Sequence, residues 1–128
     1  MRKKTPMRMK FKALVVDDNP MNLKLLTAFL TKLNCACDTA VNGEEAVTKA
    51  RCGTYDICFM DIQMPVMSGV DATRIIRQEI SKELPIIAVT AVNGYTRNRS
   101  LADGMNDYLG KPVNWAVLKS ILAKFCHQ

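Results

Sequence analysis

The stretch Ile57-Cys58-Phe59-Met60-Asp61-Ile62-Gln63-Met64-Pro65-Val66-Met67-Ser68-Gly69 decides the fold. Four apolar residues run straight into a carboxylate, and a serine able to cap a helix follows after a proline-bearing loop. A continuous apolar run of strand length has both faces covered, as in a parallel sheet between helical layers. Three more runs end in polar groups. Ala13-Leu14-Val15-Val16 leads into Asp17-Asp18, Ile86 to Val89 leads into Thr90, and Tyr108-Leu109-Gly110 leads into Lys111-Pro112. If the strands are parallel, all four ends share one edge of one sheet, where open α/β folds bind their ligands. Three carboxylates, a hydroxyl and an ammonium gathered there suit a divalent cation with a phosphoryl group. Hard oxygen ligands hold Mg2+, and a lysine acts as a point charge on phosphate oxygens.

Outward from this stretch, apolar runs alternate with amphipathic segments in five strand–helix units, the pattern of parallel strands joined by helical crossovers. Asn19-Pro20 offers a cap followed by proline at the first helical position, and Met21, Leu25, Leu26, Phe29, Leu30 and Leu33 follow at helical spacing. A short strand is expected over Cys35 to Ala40. Asn42 is expected to cap a helix running to about Ala50, with Glu45 reaching back in a capping box. Ser68 should cap a third helix running towards Ile80. The polar, basic stretch Asn93 to Ala102 reads as a short, weak helix before a strand at Asp107 to Leu109. A last helix, Trp115 to Phe125, should pack through Leu118, Ile121 and Leu122.

A chain of 128 residues fits one domain with a single core. The net charge of +6 is localised. Of the 18 Lys and Arg, six (Arg2, Lys3, Lys4, Arg8, Lys10 and Lys12) precede the first acid, leaving 12 against 12 Asp and Glu. Residues 1–10 are therefore expected to form a basic, disordered tail and residues 11–128, where only Lys12 is in excess, a near-neutral folded domain without direct nucleic-acid binding. The blander reading of the tail, as a solubilising or linker remnant, is preferred over contact with nucleic acid or anionic lipid. No apolar stretch is long enough to cross a bilayer and no signal-peptide core follows the basic residues, so no membrane is involved and a cytoplasmic location is expected. The five cysteines, Cys35, Cys37, Cys52, Cys58 and Cys126, lack metal-site spacing and read as core packing. His127 has no local partner and no expected catalytic role.

The chain resembles the receiver domain of two-component response regulators over roughly residues 11 to 125. The resemblance rests on Val16-Asp17-Asp18-Asn19, on Met60 to Gly69, on Ala88-Val89-Thr90-Ala91 and on Tyr108-Leu109-Gly110-Lys111-Pro112. Asn19-Pro20-Met21-Asn22 and Gly104 to Leu109 look most like receivers attached to or fed by hybrid histidine kinases. The resemblance implies a flavodoxin-like, doubly wound α/β fold: a five-stranded parallel sheet of order 2-1-3-4-5 flanked by five helices.

It also implies roles residue by residue. Asp61 matches the phosphoacceptor, whose carboxylate attacks the phosphorus of a phosphohistidine and forms an acyl phosphate. Asp17 and Asp18 match the acidic pair that holds Mg2+ with Asp61 and the main-chain carbonyl of Gln63. Three carboxylates without a cation repel, so one pKa is expected to rise. Lys111 matches the lysine that pairs with Asp61 and then with phosphate oxygens. Thr90 matches the hydroxyl that binds the phosphoryl group, Ala91 leaves its main-chain N–H open to it, and Tyr108 matches the aromatic that turns inward as Thr90 moves. The implied partners are a histidine kinase or histidine phosphotransfer protein. The resemblance thereby implies a signalling phosphoacceptor, not an enzyme acting on other substrates, that promotes its own phosphorylation and slow dephosphorylation. Output falls to a partner or to a domain outside these residues.

Taken singly, each residue has a plainer explanation. Paired aspartates cap loops, a threonine favours strands, Lys-Pro makes a solvated turn, a tyrosine fills core, and Met64, Met67 and Met105 fill gaps. Random loops would not put all the site residues at the same ends of successive strands. Two positions depart from the family pattern: in the family that the chain resembles, the sites of Gln63 and Val92 border the path of the water that hydrolyses the acyl phosphate, and Val92 cannot orient it, so rapid self-dephosphorylation is not expected. Ser68 stands where the family commonly has aspartate, and either residue caps a helix. The alternatives are a non-phosphorylated interaction module of the same fold and a haloacid-dehalogenase-type hydrolase. The latter needs an aspartate two residues after the nucleophile, where Gln63 stands.

Overall fold

A computed structural model of the chain describes residues 10–126. The expected tail, apart from Lys10, and His127 lie outside these residues. Five strands, β1 (Phe11–Val16), β2 (Cys35–Ala40), β3 (Ile57–Asp61), β4 (Ile86–Thr90) and β5 (Asp107–Gly110), alternate with five helices. These are α1 (Pro20–Lys32), α2 (Gly43–Cys52), α3 (Gly69–Glu79), α4 (Arg97–Ala102) and α5 (Trp115–Phe125). The sheet is parallel throughout in the order β2-β1-β3-β4-β5, as expected.

Successive residues of a strand face opposite sides, so each strand feeds two cores. Ala13, Val15, Ile57, Phe59, Ile87 and Val89 pack beneath α1 and α5 through Leu26, Leu30, Leu118, Ile121 and Leu122. Leu14, Val16, Cys58, Met60, Ile86 and Ala88 face the other way, onto Ala46 and Ala50 of α2 and Ala72 and Ile76 of α3. That two-sided burial is why β3 and β4 contain no exposed residue.

Caps set the helix starts. The Asn19 side-chain oxygen accepts from Met21 and Asn22 N–H at 2.8 and 3.4 Å, with Pro20 opening α1. Asn42 Oδ1 accepts from Glu45 N–H at 2.8 Å, and Ser68 Oγ accepts from Asp71 N–H at 3.1 Å. The reciprocal half of the expected capping box is not made, because the Glu45 carboxylate turns to Lys49 at 3.8 Å. Of the apolar residues at helical spacing on α1, Leu26 and Leu30 are buried while Met21 and Leu25 are exposed. The weak fourth helix is shorter than expected: a turn through Gly94 (φ 81°) precedes it, and Thr96 caps it so that it starts only at Arg97. The core reading of the cysteines fails at Cys52, exposed at the end of α2, and holds in part for the half-buried Cys37.

Candidate functional site

Strand register gathers the charged ends. Val16 pairs with Met60 and Asp61 with Val89, so Asp17 stands one residue beyond β1 beside Asp61 at the end of β3. Thr90 pairs with Gly110, and the Lys111 N–H donates to Thr90 O at 2.9 Å, which carries the lysine one residue past β5 onto the same edge. Gly69 closes the floor. Its backbone passes so near the end of β3 that a Cβ there would overlap the carbonyl oxygen of Asp61, which is why the helix after the acidic loop must begin with glycine.

Carboxylate oxygens of Asp17, Asp18 and Asp61 lie within 4.8 Å of one another; Asp17 and Asp61 are buried and Asp18 is exposed. Lys111 Nζ sits 3.4 Å from Asp61 Oδ2 but nearer Asp17, at 3.0 Å from its Oδ2, so one ammonium is shared between two buried carboxylates. The Asp17 partnership was not expected from the sequence. Asp17 Oδ1 also accepts from Asn19 N–H at 2.9 Å, which links the acidic turn to the cap of α1.

Burial raises the pKa of Asp61, and the charge of Asp17 adds to the rise. The Gln63 N–H, donating to Asp61 Oδ1 at 3.2 Å, and the shared Lys111 ammonium oppose it without cancelling it. Burial alone would lower the pKa of Lys111, but its bond to Asp17 and the charges of Asp61 and Asp17 raise it, so the ammonium stays charged. Three carboxylates against one ammonium leave an excess of negative charge among hard oxygen donors. A small divalent cation such as Mg2+ fits both the charge and the donor chemistry.

Thr90 is buried, and its Oγ1 accepts from Val92 N–H at 2.9 Å, tying the hydroxyl to the loop after β4. Ala91 and Val92 are exposed beside it, as is Gln63 across the site. Tyr108 lies half-buried on β5, its ring edge-on to that of Tyr95 with centroids 6.2 Å apart. Sequence reasoning did not single out Tyr95, since an aromatic in a polar loop carries no periodic signal. An apolar crevice lined by Val15, Leu25, Leu26, Val89 and Val113 opens beside Asp17 and Lys111. Leu25 at its edge is exposed, as are Met21 of α1 and Trp115 of α5, whose ring meets that of Phe29 edge-on at 5.3 Å.

Comparison with known proteins agrees with this geometry. The sequence profile of the response regulator receiver domain matches residues 13–123. The chain is 40% identical over 129 residues to Hybrid signal transduction histidine kinase G of Dictyostelium discoideum, covering 96% of this chain but only 4% of that relative. Among solved structures, the receiver domain of sensor histidine kinase PA1611 from Pseudomonas aeruginosa PAO1, with a magnesium ion coordinated in its active-site cleft, superposes with a TM-score of 0.81. It is 40% identical, over 90% of this chain and 96% of that one. The receiver domain of Ssk1, crystallised with the Saccharomyces cerevisiae histidine phosphotransfer signalling protein Ypd1, gives a TM-score of 0.83 at 34% identity, over 93% and 90% of the two chains.

Proposed function

This chain belongs to the response regulator receiver domains, and from that membership we propose that Asp61 accepts a phosphoryl group from a phosphohistidine and makes the domain a conformational switch. The observation that carries the reading is Asp61 itself: a buried carboxylate at the edge of a parallel sheet, with an ammonium at 3.4 Å and two further carboxylates alongside. A carboxylate kept among like charges has reason to be there only if it reacts or binds.

Asp17, Asp18, Asp61 and the main-chain carbonyl of Gln63 are the groups that would hold Mg2+. When bound, the ion offsets the clustered negative charge and draws phosphoryl oxygens towards the site. Asp61 attacks as the carboxylate, the form that the Lys111 ammonium and the Gln63 N–H favour. Its oxygen forms a bond to phosphorus as the phosphorus–nitrogen bond to the donor imidazole breaks, and the departing imidazole takes up a proton. Lys111 moves from the two aspartates towards the phosphoryl oxygens and balances charge as the transfer proceeds. Thr90 releases the Val92 N–H and turns its hydroxyl to the phosphoryl group, while the exposed Ala91 N–H is open to the same oxygens. Tyr108 follows into the space that Thr90 leaves.

Loss of the phosphoryl group is slow, because Val92 offers no group to orient water. The domain is thus a phosphoacceptor that promotes its own modification. The donor is a histidine kinase or a histidine phosphotransfer protein in the cytoplasm. Two observations support that partner class: the apolar Leu25 is exposed at the crevice beside Asp17 and Lys111, with Met21 exposed on the same helix, and a homologous receiver has been crystallised with such a protein. No helix of the described residues is long and apolar enough to cross a membrane.

Incubation with acetyl phosphate and Mg2+ tests the reading against its rivals. Stoichiometric phosphoaspartate without multiple turnover is expected. No label would favour a passive interaction module, and continuous phosphate release would favour a hydrolase.

A further inference from the structure

Tyr95 ties together the three parts of the face that the switch would move. It stands in the loop between β4 and α4 with its ring buried, edge-on to Tyr108 of β5 at an interplanar angle of 67°. Its hydroxyl donates to Asp103 Oδ2 at 3.1 Å, and Asp103 is the residue that ends α4. The same carboxylate oxygen lies 3.4 Å from Arg99 Nε, and the Arg99 guanidinium stands 5.9 Å from the Tyr95 ring centroid. Burial first, and the bond to Asp103 second, push the Tyr95 hydroxyl up to about 12, so it stays a donor at neutral pH.

The loop also connects Tyr95 to the site. The Tyr95 N–H donates to Val92 O at 3.4 Å, and the Val92 N–H donates to Thr90 Oγ1 at 2.9 Å. Two hydrogen bonds thus separate the hydroxyl beside Asp61 from the backbone of Tyr95. Beyond α4, by contrast, the chain is held fast. Arg77 donates through Nε to Gly104 O at 2.8 Å and through Nη2 to Asn106 Oδ1 at 2.9 Å, and that oxygen also accepts from Ile86 N–H at 2.8 Å. Tyr95 stands one residue before the cap of α4 while its hydroxyl reaches Asp103 at the anchored end, so the bond braces the entry turn of the helix against its fixed exit, and a swing of that turn must break it.

We propose that Tyr95 is a positioning residue of the switch, a latch that holds α4 and Tyr108 in their unmodified arrangement through its hydroxyl bond to Asp103 and its ring contact with Tyr108. The proposal rests on the reading of Asp61 as the phosphoacceptor. When Thr90 turns to the phosphoryl group it lets go of Val92, the turn carrying Tyr95 loosens, and Tyr108 withdraws from the ring that faced it. The Tyr95–Asp103 bond then remains as the contact to be broken. An interaction present in only one of two states biases their equilibrium by its own worth, which for one hydrogen bond is about two- to tenfold.

The test is a titration with beryllofluoride in the presence of Mg2+, followed through the backbone amide signals of α4 and Tyr108 in the wild type, Tyr95→Phe, Asp103→Ala and the double variant. Each single variant is expected to reach half-response at about two- to tenfold lower beryllofluoride, and the double variant at no lower concentration than Asp103→Ala alone, because that substitution already removes the Tyr95 bond together with the Arg99 pair. Unchanged or weakened half-response in Tyr95→Phe overturns the latch, as do additive gains in the double variant. A lowered urea midpoint for Tyr95→Phe with no shift in the titration also overturns it, since that is the mark of a merely structural side chain. A wild type that shows no response at Asp61 or its neighbours overturns the phosphoacceptor reading itself, so the two failures are distinguishable.

Discussion

Val66 has a branched side chain in the left-handed backbone region (φ 74°), and the residue is 79% exposed. A β-branched residue there costs about 1–3 kcal/mol, and its exposed side chain returns no burial to offset it. Val66→Asn should therefore raise stability by about 1 kcal/mol in urea unfolding, since asparagine tolerates that conformation. The loop borders the site, so the same variant should lose phosphotransfer from a protein donor while keeping labelling by acetyl phosphate. Asp18 allows a separate check on the metal. It is exposed, and Lys111 pairs with Asp17 and Asp61 instead, so Asp18→Asn should weaken Mg2+ binding about tenfold in titration and leave the unfolding midpoint unchanged or higher. At this scale the sequence was legible wherever a polar residue ended an apolar run, because strand direction dictates which groups share an edge. It was silent on Lys111 preferring Asp17, since a flexible ammonium between two neighbouring carboxylates is placed by packing that no spacing encodes. Tyr95 was hidden for a related reason: its burial comes from contacts with Tyr108, Asp103 and Met105, none of them in helical or strand register with it.

Helix starts were readable because caps are local chemistry, as Asn19, Asn42, Ser68 and Asn114 each accept from a backbone N–H in the first turn. The start of α3 depends on Gly69 as well as on its cap. Gly69→Ala would drive a methyl group into the Asp61 carbonyl, costing at least about 2 kcal/mol in unfolding free energy and displacing Asp61. The element least well read was α4, taken to begin at Asn93 when the Gly94 turn and the Thr96 cap delay it to Arg97. Its six residues bury only Ser100, so it has neither length nor an apolar face to hold it. A helix so weakly held is inexpensive to move. Beryllofluoride with Mg2+ should accordingly shift NMR signals at Thr90 to Ala102 and at Tyr108 more than those of α1. Equal or larger changes in α1 would show that another face carries the signal. Periodicity also marked Met21 and Leu25 as part of the apolar spacing of α1; it reveals that a stripe is apolar, but not which of its residues the domain itself covers.

Across the whole molecule, the five-stranded parallel order follows from alternating apolar runs and amphipathic segments, and the charged edge follows from that order. One side of the sheet lies under α1 and α5 and the other under α2 and α3, leaving the site open at the strand ends. Asp61 stands at that edge, and the β4–α4–β5 face lies beside it. The chain spans only 4% of the Dictyostelium relative, so what the switch controls is a property of whatever protein it serves. The chemistry at Asp61 is testable in the domain itself. A histidine phosphotransfer protein carrying radiolabelled phosphohistidine should pass its label, in the presence of Mg2+, to the wild-type chain as a hydroxylamine-labile acyl phosphate. Asp61→Asn, with an unchanged thermal melt, should take none. Label on Asp61→Asn at wild-type yield, or a wild type that no phosphohistidine donor and no acetyl phosphate can label, would contradict the assignment of Asp61 as the phosphoacceptor.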